Sequence, residues 1–196
     1  MTPLSRLFLL VYRSWIRIRN RCFSLLVSGA FARFGKKAVL TLPIRLSGEQ
    51  RIDIGDQVFV GSGAWLQAID DGENASTAIW LGHGTSIAGT CVISAVRSVK
   101  IEEYVLLARN VYISDHMHKY SETSVPILEQ GVEKIGPVLI KRGAWIGQNV
   151  VVCPGVTIGR GAVVGANSLV NRDVPDFSVA VGSPARVVKR FYPVSV

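Results

Sequence analysis

Cysteine is scarce: Cys22, Cys91 and Cys153 are an odd number with no CxxC pair. That excludes a disulfide framework and a cysteine-ligated zinc site and suits a reducing compartment. Charge is sparse as well, at 18% of residues against 48% hydrophobic, so the chain can bury a core and disorder is excluded. Acidic residues are missing altogether from positions 1–48, which hold nine Lys or Arg; the rest of the chain has 13 basic and 14 acidic side chains. The net charge of +8 therefore belongs to the N-terminal segment, and a near-neutral body argues against nucleic acid as a partner. Long apolar runs are lacking too. Arginines at 6, 13, 17, 19 and 21 interrupt each stretch, and none approaches the ~20 residues of a membrane span. The run Leu7–Tyr12, closed by Arg13, falls short of the ~7–15 apolar residues of a secretory signal. A cytoplasmic protein is expected. Nineteen glycines occur without a Gly-X-Y period, which excludes collagen and points to many turns.

The segment 3–34 sets arginines among Leu, Phe, Trp and Tyr. A helix of this kind can lie on the inner face of the cytoplasmic membrane, drawn to anionic lipid. The alternative is a helix packed on the rest of the domain or on a neighbouring subunit, and the untidy helical period favours it.

What the chain does have is a repeat. Ile140, Ile146, Val152, Ile158, Val164 and Val170 recur every six residues without a break. The fifth place of each hexad is small or short: Ala144, Val150, Val156, Ala162, Ser168 and Val174. The same register appears in blocks at Ile54, Val60, Leu66, at Leu81, Ile87, Ile93 and at Ile101, Leu107, Ile113. The larger breaks fall at about 70–78 and 115–137. A period of six belongs neither to a helix nor to an ordinary strand. It fits short strands and tight turns winding into a three-sided prism, with one aliphatic per side on the axis and residues such as Ile140 and Ile158 stacked in a ladder. Such a stack is a quasi-one-dimensional solenoid whose ends need capping, by the arm and by the segment after Asp173.

These hexads, with the stretch DHMHKY and the terminal GSPARVVKR, resemble the hexapeptide-repeat acyltransferases of the maltose, galactoside and nodulation acetyltransferase type, and most of all the bacterial polysaccharide O-acetyltransferases. The likeness covers about residues 50–190. It implies an all-β fold, a left-handed parallel β-helix, assembled as a homotrimer that uses acetyl-CoA as donor and a hydroxyl acceptor. The left hand comes from the family, since crossovers are ordinarily right-handed. The expected organisation is a helical arm at 1–48, the β-helix domain at 49–174 with a loop insertion at 115–137, and a capping, coenzyme A-contacting segment at 175–196.

Direct transfer from a thioester needs a general base to deprotonate a weakly nucleophilic alcohol, a task suited to histidine. His116 stands where the hexad at Ile113 gives way to the long insertion, and it matches the family's catalytic histidine. Asp115 and His118 could orient it or bind the acceptor. His83 occupies an outward position and reads as solvated. Asp70, Asp71 and Glu73 read as a solvated turn. Gly147, Gly165 and Ala166 would allow a pantetheine arm close to the backbone, although most glycines here are turn residues required by the coil. Asn171, Arg172, Arg186 and Lys189 match coenzyme A-contacting positions of the family, and cations there suit the 3′-phosphate and pyrophosphate. The insertion at 121–137 is long enough to reach over a site. The alternative activity is N-transfer to an amino sugar or small amine. A γ-carbonic-anhydrase-like zinc protein, with three histidines as ligands, and a non-catalytic scaffold are weaker readings; no metal is expected. The predicted function is O-acetylation of a sugar in a bacterial surface-polysaccharide or lipid-linked glycan precursor.

Overall fold

A computed structural model describes residues 2–70, 72, 76–133 and 136–191. Among these, short parallel strands form the three faces of a left-handed prism. The first face runs from Arg33–Phe34 through Ile52–Ile54, Ile79–Leu81, Val99–Ile101 and Val138–Ile140 to Thr157–Ile158. The second begins at Val39–Leu40 and ends in the antiparallel pair Ser178–Gly182 and Ala185–Arg190, and the third runs from Arg45–Ser47 to Leu169–Val170.

Registers follow the hexads. Ile140 lies beside Ile158, Ile146 beside Val164 and Val152 beside Val170. All six are buried, and so are the fifth-place residues Ala144, Val150, Val156, Ala162, Ser168 and Val174. Two residues per side thus face the axis, and the second must be small because it sits against a corner. At the corner between the second and third faces, Asn110, Asn149 and Asn167 adopt φ of 59°, 58° and 59°, a left-handed conformation that Asn tolerates better than most residues. Their side chains form a ladder, Asn110 donating to Asn149 at 3.0 Å and Asn149 to Asn167 at 2.9 Å.

The solenoid starts earlier than the division at residue 48. Strands Arg33–Phe34, Val39–Leu40 and Arg45–Ser47 pair with the next coil, so Phe34, Leu40 and Leu46 already occupy axial positions. Charged neighbours (Lys36, Lys37, Arg45) and half-exposure of Phe34 and Leu46 hide the repeat in this end coil.

The arm itself is helix α1, Pro3–Val27, with the Thr2 hydroxyl capping its first turn. Its later half covers the open end of the prism. The Ser24 hydroxyl accepts from the Leu40 N–H at 2.9 Å and donates to the Asn20 carbonyl at 2.7 Å, while the Asn20 side-chain oxygen accepts from the Leu42 N–H at 3.3 Å. Helix side chains therefore take the place of a further strand on an edge that would otherwise be unpaired.

Candidate active site

Both long insertions leave from the corner between the third face and the first face of the next coil. Ser114 ends the strand Tyr112–Ser114, and the next two residues turn into this corner. Asp115 and His116 are both buried. The Asp115 carboxylate accepts backbone N–H groups from Val96, Arg97 and Ser98 at 2.9, 2.7 and 2.7 Å, and the imidazole Nδ1 of His116 lies 2.9 Å from its Oδ1. Burial alone would raise the Asp115 carboxyl, but the His116 hydrogen bond and then the backbone donors outweigh it and hold it below its ordinary value. A carboxylate only accepts, so Nδ1 carries a proton, and in the neutral imidazole Nε2 is then the nitrogen with the free lone pair. The Ser114 hydroxyl donates to the His116 carbonyl at 2.8 Å and lies 3.1 Å from Nδ1, bracing the same ring.

His116 opens onto a cavity of about 300 Å³ along the third face. Trp65, Gln67, Ser94 and Tyr112 form its floor, Ile69 belongs to the first insertion, and His118 and Val132 belong to the second. The second insertion folds back as an antiparallel pair, Met117 opposite Glu133 and His118 opposite Val132, so it walls the cavity from its own chain. His118 is exposed and shares the cavity with His116 without a bond between the two that would orient the base.

His83 lies at the corner between the first and second faces, away from the other histidines. It is half-buried, edge-on to Tyr104 with ring centroids 5.2 Å apart, rather than simply solvated. Among the described residues no group of three or more His, Cys, Asp or Glu is placed to hold a metal ion. Asp70 accepts from the Gly72 N–H at 2.9 Å in an exposed turn; Asp71 and Glu73 lie outside the described residues.

The donor-site candidates fall into two groups. Gly147, Gly165 and Ala166 line the corner between the second and third faces. A Cβ on Gly147 would sit 2.7 Å from the Ala166 nitrogen and the Val164 oxygen, and one on Gly165 would sit 2.6 Å from a methyl of Val181. Packing therefore explains both glycines, whereas Ala166 is exposed. Arg186 stands opposite Val181, and Lys189 opposite Val179, on the terminal strand. Asn171 and Arg172 follow Leu169–Val170 and are exposed at the corner that carries His116. Within one chain the third face separates the groups. The exposed cations Arg172, Arg186 and Lys189 have the chemistry to take a phosphate-bearing donor.

Arg51 is the residue that sequence reasoning missed. Its guanidinium is buried and donates to the carbonyls of Ser76, Ile69 and Val96 at 2.9, 2.6 and 2.7 Å. It ties the first insertion to the turn whose N–H groups hold Asp115. No local pattern marks it, because its partners come from two segments distant in sequence.

Residues 137–172 match the model of the bacterial transferase hexapeptide family, described as six repeats. The chain is 36% identical over 139 residues to a protein of Mycobacterium tuberculosis assigned as an acetyltransferase, covering 71% of this chain and 44% of that protein. It therefore spans less than half the length of that relative. It is 30% identical over 159 residues to WbbJ of Escherichia coli K12, assigned as a lipopolysaccharide biosynthesis O-acetyl transferase, covering 78% of this chain and 79% of WbbJ. Among solved structures, a galactoside acetyltransferase in complex with coenzyme A superposes with a TM-score of 0.61 at 28% identity, over 85% of this chain and 68% of that one. AntD, an N-acyltransferase of Bacillus cereus, superposes with a TM-score of 0.73 at 20% identity, over 87% and 89%, a likeness of fold.

Proposed function

Because the chain belongs to the bacterial hexapeptide-repeat transferase family, we propose that it moves the acetyl group of acetyl-CoA to a hydroxyl of a sugar. The acceptor in this reading is a bacterial surface-polysaccharide or lipid-linked glycan precursor, modified in the cytoplasm. The observation that carries the proposal is the buried contact of His116 Nδ1 with Asp115 at 2.9 Å on a histidine that lines a cavity.

With its Nδ1–H committed to Asp115, His116 presents Nε2 as the proton acceptor. Acetyl-CoA, when bound, supplies the thioester carbonyl. Nε2 takes the hydroxyl proton as the acceptor oxygen forms its bond to that carbon, and it returns the proton to the sulfur as the carbon–sulfur bond breaks. Trp65 and Tyr112 contribute aromatic lining for a sugar, and Gln67, Ser94 and His118 offer hydrogen-bonding groups. Gly147, Gly165 and Ala166 would line the path of the pantetheine arm, and Asn171, Arg172, Arg186 and Lys189 would hold the nucleotide end. A homotrimer would set the glycine-lined corner of one protomer against the His116 corner of its neighbour, joining groups that the third face separates in a single chain.

A panel of sugar hydroxyl and amine acceptors, read by release of free thiol from acetyl-CoA, tests the activity. His116→Ala lowers kcat by roughly 10²–10⁴-fold with an unchanged circular dichroism spectrum. Near-normal turnover would overturn the role of the base, and faster thiol release with amines would replace O-transfer by N-transfer.

A further inference from the structure

Helix α1 carries two unlike faces, and the prism uses only one. Asn20 and Ser24 are buried against the first coil, with Phe23 and Val27 packed on the core beside them. The opposite side repeats Leu4, Leu7, Phe8, Val11, Trp15, Ile18, Cys22, Leu25 and Leu26, spacings of three and four that keep them on one stripe. Leu4 is 77% exposed, Phe8 68%, Ile18 63% and Leu26 85%. At 1.5 Å per residue the stripe is roughly 33 Å long, larger than the scattered apolar residues usual on a monomer surface. Arg6, Arg13 and Arg17, all exposed, leave the helix on the side away from the stripe, whereas Arg21 and Arg19 stand at its two edges, Arg19 over the Trp15 ring at 5.2 Å. The helix contains no acidic residue.

We propose that α1 is a surface anchor whose outward stripe lies in the interface of an anionic phospholipid bilayer, with its arginines among the lipid headgroups. The arrangement has what an interfacial helix needs: a continuous apolar face, aromatics within it, and cations at its edges and on the polar side long enough to reach the phosphates. Charge selects the occupant. A second copy laid stripe to stripe would bring together two helices of five arginines each with no acid in either, the edge residues Arg19 and Arg21 nearest the seam, whereas anionic lipid neutralises them. No described helix is long and apolar enough to cross a membrane, so the contact lies along the surface. The helix is joined to the prism through Asn20 and Ser24, so the anchor holds the first coil near the lipid. This inference does not depend on the chemistry assigned to His116.

Flotation of the 196-residue chain with phosphatidylcholine vesicles, with and without added phosphatidylglycerol, tests it. The protein floats with the anionic vesicles, and added salt weakens the association. Arg13→Gln with Arg17→Gln lowers partitioning by roughly 10–30-fold, and Phe8→Ser with Trp15→Ser lowers it by roughly 30-fold or more. Both pairs leave thiol release unchanged, because neither touches the cavity. Protein that stays at the bottom of the gradient with phosphatidylglycerol vesicles would overturn the proposal. So would wild-type partitioning in both pairs, or a fall in oligomer mass in the Phe8/Trp15 pair with flotation unaltered, which would show the stripe to be covered by protein.

Discussion

Asp115 accepts hydrogen bonds from three consecutive backbone N–H groups and an imidazole inside a buried corner. Its carboxyl is held below the ordinary value, so the folded state favours the ionised form. The resulting stability is fully present above the unfolded carboxyl value of about 3.9 and is lost as pH falls through the lower folded value. Asp115→Asn should therefore flatten the fall in stability below about pH 4, measured by urea midpoints across acid buffers. The same change should lower kcat by roughly 10²–10⁴-fold, because an amide no longer fixes the proton on Nδ1. The place of His116 beside a cavity was legible because the repeat breaks next to it, and a loop leaving a solenoid is where a cleft can form. Arg51 was not. A buried guanidinium held by the carbonyls of Ile69, Ser76 and Val96 looks, in the linear chain, like any basic residue preceding a strand. Gly147 and Gly165 show the reverse: their presence is explained by neighbouring backbone and by Val181, so glycine alone said little about a ligand.

At the scale of elements, the ends of the prism decide how it closes. Strand Val39–Leu40 pairs with Phe59–Val60 on one side, and α1 supplies Ser24 and Asn20 to the N–H groups on the other. Ser24→Ala should destabilise the protein by roughly 1–3 kcal/mol, since the Leu40 N–H is left unpaired in a buried place; equilibrium denaturation measures it, with kcat unchanged. A drop below a few tenths of a kcal/mol would show that α1 does not support the first coil. In the chain these capping residues are interleaved with the outward apolar stripe, which makes the helical period look untidy. Two faces of different chemistry share one string, and they separate only when the helix is seen against the prism. The antiparallel strands Ser178–Gly182 and Ala185–Arg190 follow the last coil at the other end.

For the whole molecule, stability rests on axial columns in which each coil touches its neighbours. Ile146 is fully buried between Leu107 and Val164. Ile146→Ala should cost about 2–5 kcal/mol through lost contacts and a cavity. Leu46→Ala, in a half-exposed end coil, should cost clearly less; denaturant midpoints of the two variants make the comparison, and equal losses would contradict a column whose interior is more tightly packed than its ends. The prism was readable in the chain because its rule is local. Every sixth residue meets the same corner-to-corner geometry, so an aliphatic there and a small residue two places before it betray the fold without knowledge of anything distant. The first coil escaped because end positions are only half-buried and tolerate the charges that obscure the spacing. The site and the end cap obey no local rule: Asp115 meets the turn at 96–98, Arg51 meets Ile69 and Ser76 of the first insertion, and Ser24 meets Leu40. These are contacts between segments far apart in sequence, and only the winding of the coils brings them within hydrogen-bonding distance.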